Sequence, residues 1–202
     1  MASCGKTTIV DTLYRVTEED ENKDIKPKSP LVKIDRKDTG ATLYYDRGFF
    51  YSVKNEQKLY NVVTVAGQKS FTPLRKKVFE NTDGCIFVVD SQSQLLEDNV
   101  ESLKELKEVS EGKLVSEIPL IVMLNKQDLD NVIKKEEFEQ ILKEEKLMFN
   151  PDDKLSVWNP IVYETCALYN QRKDIYRSFY EIIRRIMLYK NMGEGKAPLN
   201  NN

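Results

Sequence analysis

Short runs of apolar residues alternate with amphipathic stretches along most of the chain. The clearest runs predict strands over residues 58–65, 85–90, 120–125 and 161–165. Three of these runs are almost entirely apolar, which is typical of strands that are covered on both faces. An earlier, aromatic-rich run over residues 42–53 is expected to pair antiparallel with the first of these strands. The alternation predicts an α/β fold with a mostly parallel sheet.

Three stretches carry apolar residues at steps of three and four positions, which predicts amphipathic helices. We interpret their apolar stripes as core faces, so that helices cover both faces of the sheet. The stripes consist of Leu96, Val100, Leu103, Leu106 and Val109, of Phe138, Ile141 and Leu142, and of Ile175, Phe179, Ile182, Ile183 and Ile186.

Two stretches lack such a pattern. Residues 17–41 are dominated by charged side chains and include Pro27 and Pro30, which predicts a mobile loop. The last residues of the chain carry Gly, Pro and Asn, as frayed ends often do. Because 202 residues suit one domain, we expect a single domain over residues 1–190 and a flexible C-terminal tail over residues 191–202.

The composition narrows the possible functions. The chain has 33 acidic and 31 basic side chains, so it offers no concentrated basic face for nucleic acid or anionic lipid. It has no histidine, which excludes Ser-His-Asp and Cys-His triads and histidine-ligated zinc. The scattered Cys4, Cys85 and Cys166 suit a reducing compartment. No apolar run approaches the roughly 18 residues of a membrane span, so we expect a cytoplasmic protein with no visible membrane anchor.

The first motif with chemical content is formed by Gly5, Lys6, Thr7 and Thr8, which precede an amphipathic helix. It matches the second half of a phosphate-binding loop. In such a loop, backbone N–H groups at the helix start face phosphate oxygens, the lysine reaches the β and γ groups, and the hydroxyl after it binds Mg²⁺. The complete pattern has an earlier glycine that follows a strand, and the sequence does not include it. The half-motif is weak by itself.

A second motif, Asn-Lys-Gln-Asp over residues 125–128, follows an apolar strand. Open α/β sheets bind ligands at this carboxyl end of their strands. The Asp128 carboxylate can accept hydrogen bonds from N1–H and N2–H₂ of guanine, a pair of donors that adenine lacks. The Lys126 stem can lie along the base, and Asn125 can connect this loop to the phosphate loop. The alternative interpretation is a polar turn between a strand and a helix.

Two weaker motifs extend this pattern. Thr165, Cys166 and Ala167 follow the last predicted strand, where the backbone N–H of Ala167 could donate to guanine O6. Gly67 and Gln68 follow the first strand. The glycine would let a backbone N–H approach a γ-phosphate, and the glutamine would orient an attacking water. Taken alone, this pair is equally consistent with a glycine turn and a surface glutamine.

In this order and spacing, the motifs resemble those of the Ras-like small GTPases from Cys4 to about Tyr189. Residues 42–46 (Thr-Leu-Tyr-Tyr-Asp) and 64–68 (Thr-Val-Ala-Gly-Gln) resemble the MglA-type GTPases most, because Thr64 stands where other small GTPases have aspartate. The resemblance implies a P-loop G domain that acts as a molecular switch. Such a switch binds GTP or GDP with Mg²⁺, hydrolyses GTP, and presents two switch loops to activating proteins, exchange proteins and effectors.

The resemblance also implies a role for each matching residue. Gln68 would orient water for in-line attack on the γ-phosphate, and Lys6 would neutralise charge there. The implied site consists of Gly5, Lys6, Thr7 and Thr8 at the phosphates, Thr7 and Thr42 at Mg²⁺, Gly67 and Gln68 in the second switch, Asn125, Lys126 and Asp128 at the guanine base, and Thr165, Cys166 and Ala167 in the final loop.

The sequence departs from the family pattern in three places. The first strand and first glycine are absent, so we expect a truncated start. Thr64 has no carboxylate for Mg²⁺-bound water, and Asp46 is the candidate substitute. Ala41 stands where the MglA-type proteins have an arginine, and neither Arg36 nor Arg47 has the matching spacing. Because an arginine finger contributes about 10³–10⁵ in rate, we expect slow intrinsic hydrolysis.

These departures leave a second hypothesis open, in which the chain is a catalytically impaired pseudo-GTPase that serves as a protein-binding scaffold. A third hypothesis is a nucleoside kinase, which shares the phosphate loop. The chain lacks an arginine-rich lid, and its guanine motif argues against a kinase. The agreement of four ordered motifs favours the slowly hydrolysing switch.

Overall fold

The computed structural model describes residues 3–35, 42–65 and 72–199. Its helices and strands alternate for most of the chain. In chain order they are α1 (Lys6–Glu19), β1 (Ile25–Pro27), β2 (Val32–Asp35), β3 (Thr42–Ser52), β4 (Asn55–Val63), α2 (Thr72–Phe79), β5 (Cys85–Asp90), α3 (Leu96–Val109), β6 (Leu120–Asn125), α4 (Lys135–Glu144), β7 (Ile161–Glu164) and α5 (Ile175–Met192), with short 3₁₀ helices over Ser93–Leu95 and Lys154–Trp158.

A parallel sheet in the order β5-β6-β7 carries the predicted strands of the second half of the chain. All six residues of the central strand β6 are buried, which explains its unbroken apolar run. In the register of β5 and β6, Asp90 lies opposite Asn125. The last residues of these two strands therefore stand side by side at one edge of the sheet, and the α/β class predicted from the sequence is confirmed.

A second, antiparallel sheet is built around the long strand β3. β4 pairs along one edge of β3, as the sequence predicts, and a short turn at Val53 and Lys54 joins the two strands. β1 and β2 share the other edge of β3. In the described residues no pairing joins this sheet to the parallel one.

The expectation of a single loop over residues 17–41 is wrong for its described part. α1 continues to Glu19, and the segment after it contains β1 and β2. Each of these strands is too short and too polar to stand out as an apolar run. They form because β3 is eleven residues long and both short strands can pair along its free edge. In addition, Ile25 is buried against α1 and α5.

Helices cover both faces of the parallel sheet, as the stripes predict. On one face α3 and α4 pack against a core that includes Leu103, Val122 and Phe138. On the other face α1 and α5 pack against a core that includes Met123 and Phe179. This second core also contacts the inner side of β4, so it is the part of the molecule that connects the two sheets.

Part of the predicted C-terminal tail is hydrogen-bonded to the domain. The backbone N–H of Ala197 donates to the Ser116 carbonyl at 2.7 Å, and Nε1 of Trp158 donates to the Pro198 carbonyl at 2.7 Å. In the three described ranges, no helix combines the length and the apolar character needed to cross a membrane.

Candidate functional site

The start of α1 meets the carboxyl end of the parallel sheet. Nδ2 of Asn125, the last residue of β6, donates to the Cys4 carbonyl at 2.9 Å. Asn125 also lies next to the loop after β7, since Oγ1 of Thr165 is 3.5 Å from its Oδ1. One buried amide thus joins the loop before α1 to two loops that follow parallel strands, and it makes the connection that the sequence predicts.

Gly5 lies directly before α1 and has a φ of 92°. A Cβ at this position would lie 2.4 Å from Nδ2 of Asn125, so glycine is what allows the two loops to approach this closely. The first N–H groups of a helix have no carbonyl partner within it, and in α1 they belong to Lys6, Thr7 and Thr8. Such a helix start favours an anion.

A buried carboxylate stands beside this helix start. Oδ2 of Asp46 accepts hydrogen bonds from Oγ1 of Thr7 at 2.6 Å and from Oγ1 of Thr64 at 3.0 Å, while its Oδ1 accepts none from the residues that the structure describes. The Asp46 side chain is on β3 and is 0% exposed. Nearby, Nζ of Lys6 donates to Sγ of Cys4 at 3.5 Å. Thr64 therefore serves as a hydroxyl partner of Asp46. The Asp46 carboxylate thus lies next to position 64, where the sequence motif has threonine instead of aspartate.

The chemistry of these donors fits a magnesium ion. Mg²⁺ prefers hard oxygen ligands and is usually bound through one or two carboxylates together with phosphate oxygens. Asp46 supplies a buried carboxylate oxygen that has no hydrogen-bond donor within the described part of the chain, and Thr7 supplies a hydroxyl next to the helix start. An uncompensated buried carboxylate is costly, and a cation would relieve that cost.

The loop after β6 is fixed to the loop after β5. Nζ of Lys126 lies 2.5 Å from Oδ2 of Asp90, whose side chain is 1% exposed. Nε2 of Gln127 donates to Oγ of Ser91 at 2.9 Å, and the Gln127 backbone N–H donates to the Thr165 carbonyl at 3.1 Å. The loop that carries the guanine motif is therefore anchored to both neighbouring strands.

Asp128 is exposed at the end of this loop, beside the buried Cys166. Burial raises the pKa of the Cys166 thiol, and the nearby negative charge of the Asp128 carboxylate raises it further. The next residue, Ala167, is also buried, and its carbonyl accepts a hydrogen bond from Oγ1 of Thr12 at 2.5 Å. The Asp128 carboxylate thus lies beside the loop after β7, and the Thr12 side chain of α1 holds the backbone of that loop in place.

Two residues of the site, Thr12 and Asp90, were not predicted from the sequence. Thr12 is a polar side chain within the apolar stripe of α1, and Asp90 is a charge at the end of an apolar strand; both are buried. A polar residue at an apolar position of a helix or strand is the sequence feature that could have identified them, because a buried polar group needs a partner.

Thr42 begins β3, opposite Asp35. Gly67 and Gln68 lie outside the described residues, so their predicted roles remain predictions.

The fold and the contacts between α1 and the strand-end loops are typical of the P-loop GTPase class. The chain belongs to the Arf/Ras-like small GTPases, since the pattern of the ADP-ribosylation factor family matches residues 1–179. It is similar to the mutual gliding-motility protein MglA of Myxococcus xanthus (strain DK1622), with 31% identity over 150 residues. That alignment covers 69% of this chain and 70% of the relative.

These matches confirm the resemblance drawn from the motifs. The chain is a guanine-nucleotide-binding molecular switch, and its family consists of enzymes that hydrolyse GTP. Neither match favours the pseudo-GTPase scaffold.

Proposed function

We propose that one guanine nucleotide lies across the carboxyl end of the parallel sheet, with its phosphates at α1 and its base at the loops after β6 and β7. The hydrogen bond from Nδ2 of Asn125 to the Cys4 carbonyl carries this proposal, because it fixes the distance between the two ends. The proposed contacts are Gly5, Lys6, Thr7 and Thr8 to the phosphates, and Asn125, Lys126, Asp128, Thr165, Cys166 and Ala167 to or around the base.

Magnesium is proposed to bind at Thr7 and Thr42 with Asp46 as the carboxylate that replaces the missing aspartate at position 64. Two observations support this assignment: Oδ1 of Asp46 accepts no hydrogen bond from the described residues, and Oδ2 of Asp46 accepts one from Oγ1 of Thr7 at 2.6 Å. When bound, Mg²⁺ neutralises charge on the β- and γ-phosphates. The role of the protein is to present oxygen ligands in a fixed arrangement at the helix start.

For hydrolysis, Gln68 is proposed to orient the attacking water in the second switch, and Lys6 to compensate the charge of the phosphates. Intrinsic hydrolysis is expected to be slow because Ala41 supplies no arginine next to the first switch threonine. An activating protein, an exchange protein and effectors are the proposed partners of the switch loops, in the cytoplasm.

The proposal is tested by competition for a fluorescent guanine nucleotide. The protein is loaded with N-methylanthraniloyl-GDP, and unlabelled GDP, GTP, ADP and ATP are titrated against it with Mg²⁺ present. We expect GDP and GTP to compete at concentrations at least about 100-fold lower than the adenine nucleotides, because only guanine offers two donors to Asp128. Equal competition by ADP would overturn the base assignment.

Hydrolysis is tested separately by single turnover. The protein is loaded with GTP labelled at the γ-phosphate, and released phosphate is followed for several hours. We expect slow release that is abolished in Gln68→Leu. Complete retention of the γ-phosphate by the unsubstituted protein would contradict the enzymatic part of the proposal and favour a scaffold.

A further inference from the structure

An ion pair between Asp90 and Lys126 joins the ends of β5 and β6 beside the proposed base site. Asp90 is the last residue of β5 and lies opposite Asn125 of β6. Its Oδ2 contacts Nζ of Lys126 at 2.5 Å, and its Oδ1 accepts from the backbone N–H and from Nε2 of Gln92. Both carboxylate oxygens are therefore occupied by groups of the chain itself.

The backbone of Asp90 is fixed as firmly as its side chain. Its N–H donates to Oδ1 of Asn99 at 3.1 Å, and its carbonyl accepts from Nδ2 of the same residue at 2.8 Å. Asn99 is fully buried on α3. The carboxylate thus has a position that is set by a strand, a helix and a buried amide, before any ligand arrives.

Lys126, in contrast, occupies an unfavourable backbone conformation. Its φ is 71°, in the left-handed region that a residue with a long side chain adopts only when its surroundings compensate. Its side chain is 28% exposed, so the stem lies at the surface of the proposed base site while the ammonium group is directed to Asp90. The ion pair provides an interaction that compensates for this conformation.

We propose that Asp90 is a positioning residue for base binding: by fixing Nζ of Lys126, it holds the aliphatic stem in place as one wall of the base site. This inference rests on the proposed position of the base. Ser91, which follows Asp90, also holds this loop in place. Its backbone N–H donates to the Asn125 carbonyl at 3.0 Å, and its Oγ accepts a hydrogen bond from Nε2 of Gln127. Residues 90–92 form a rigid support beneath the loop of the guanine motif.

A double-mutant cycle in GDP binding tests the proposal. The proteins are the unsubstituted chain, Asp90→Asn, Lys126→Ala and the double variant, each measured by release of fluorescent GDP. We expect Asp90→Asn to release GDP about tenfold faster in the unsubstituted background and less than about twofold faster in the Lys126→Ala background. A purely structural role for Asp90 would accelerate release equally in both backgrounds and would overturn the inference.

Glu145→Gln is the matched control. Glu145 forms a 2.8 Å ion pair with Lys107, is mostly buried, and lies on the α3–α4 side of the sheet, away from the base loop. This substitution is expected to lower the unfolding temperature without changing GDP release. Should Asp90→Asn fold poorly, Lys126→Met gives a second route, because it keeps an apolar stem but removes the ammonium group that Asp90 contacts. It should release GDP faster than the unsubstituted chain, and release at the unsubstituted rate would overturn the inference.

The outcomes separate this inference from the function itself. If the unsubstituted protein binds GDP no better than ADP, the proposed base site is wrong. If it prefers GDP and Asp90→Asn still releases GDP at the unsubstituted rate, the base site stands and the positioning role of Asp90 is overturned.

Discussion

Asp90 and Asp46 are both buried carboxylates at the proposed site, but their surroundings are opposite. Asp90 has a cation within 2.5 Å and donors on both oxygens. Within residues 3–35, 42–65 and 72–199, Asp46 accepts hydrogen bonds from two hydroxyl groups on one oxygen and from no group on the other, and it forms no ion pair. Since a buried carboxylate is stable only when its charge is compensated, the base end is complete within the chain, whereas the phosphate end leaves a place for an external cation.

The same difference predicts that the base binds to a preformed surface, whereas the metal ion must replace a hydrogen bond. At the base end, the loops are anchored by hydrogen bonds to β5 and β7, so the base would meet a surface that is already formed. At the phosphate end, the carboxylate and the Thr7 hydroxyl currently bond to each other. They would have to exchange that hydrogen bond for a metal ion. We therefore expect the base end to determine selectivity and the phosphate end to determine Mg²⁺ dependence.

The largest expected effect concerns selectivity at the base end. Asp128→Asn removes the acceptor of two charge-assisted hydrogen bonds, so the affinity for GDP should fall about 100-fold. The affinity for xanthosine diphosphate should rise, because its 2-oxo group accepts from an amide. Both are measured by competition with a fluorescent nucleotide.

Asp130→Asn is the control for this variant, since Asp130 is exposed in the same loop two residues further along. It should leave both affinities unchanged. An Asp128→Asn protein with the GDP affinity of the unsubstituted chain would show that Asp128 does not contact the base.

A second prediction contrasts the two buried carboxylates in stability. In the nucleotide-free protein without Mg²⁺, Asp90→Asn breaks an ion pair and should lower the free energy of unfolding by about 2 kcal/mol. Asp46→Asn removes an uncompensated buried charge and should raise it by about 1 kcal/mol. Urea denaturation of the three proteins measures both. If both substitutions changed the free energy of unfolding in the same direction, the proposed contrast between the base end and the phosphate end would be wrong.

The smallest expected effect concerns the buried hydroxyl on α1. Thr12→Val removes the hydrogen bond to the Ala167 carbonyl and should weaken GDP binding about threefold, because the final loop loses one anchor. Thr17→Val removes a comparable hydrogen bond from the same helix, but the Thr17 hydroxyl donates to the Leu13 and Tyr14 carbonyls of α1 itself. It should lower stability similarly and leave GDP affinity unchanged. Equal affinities for the two variants would exclude a role for Thr12 in the base site.

Much of this arrangement could be predicted from the sequence. β6 is buried on both faces, so its apolar run marked the strand and placed Asn125 at its end. The short strands β1 and β2 could not be predicted, because they depend on the edge of β3 rather than on their own residues. The contacts of Asp46 and Asp90 join residues 39 and 36 positions apart, and local spacing carries no information about such pairs.

The Mg²⁺ dependence of GDP release tests the central claim most directly. Release of fluorescent GDP is measured with Mg²⁺ and with EDTA for the unsubstituted chain, Asp46→Asn and Asp90→Asn. We predict that EDTA accelerates release about tenfold or more in the unsubstituted chain and in Asp90→Asn, and has little effect in Asp46→Asn. An undiminished response of Asp46→Asn to EDTA would contradict the assignment of its carboxylate to the metal.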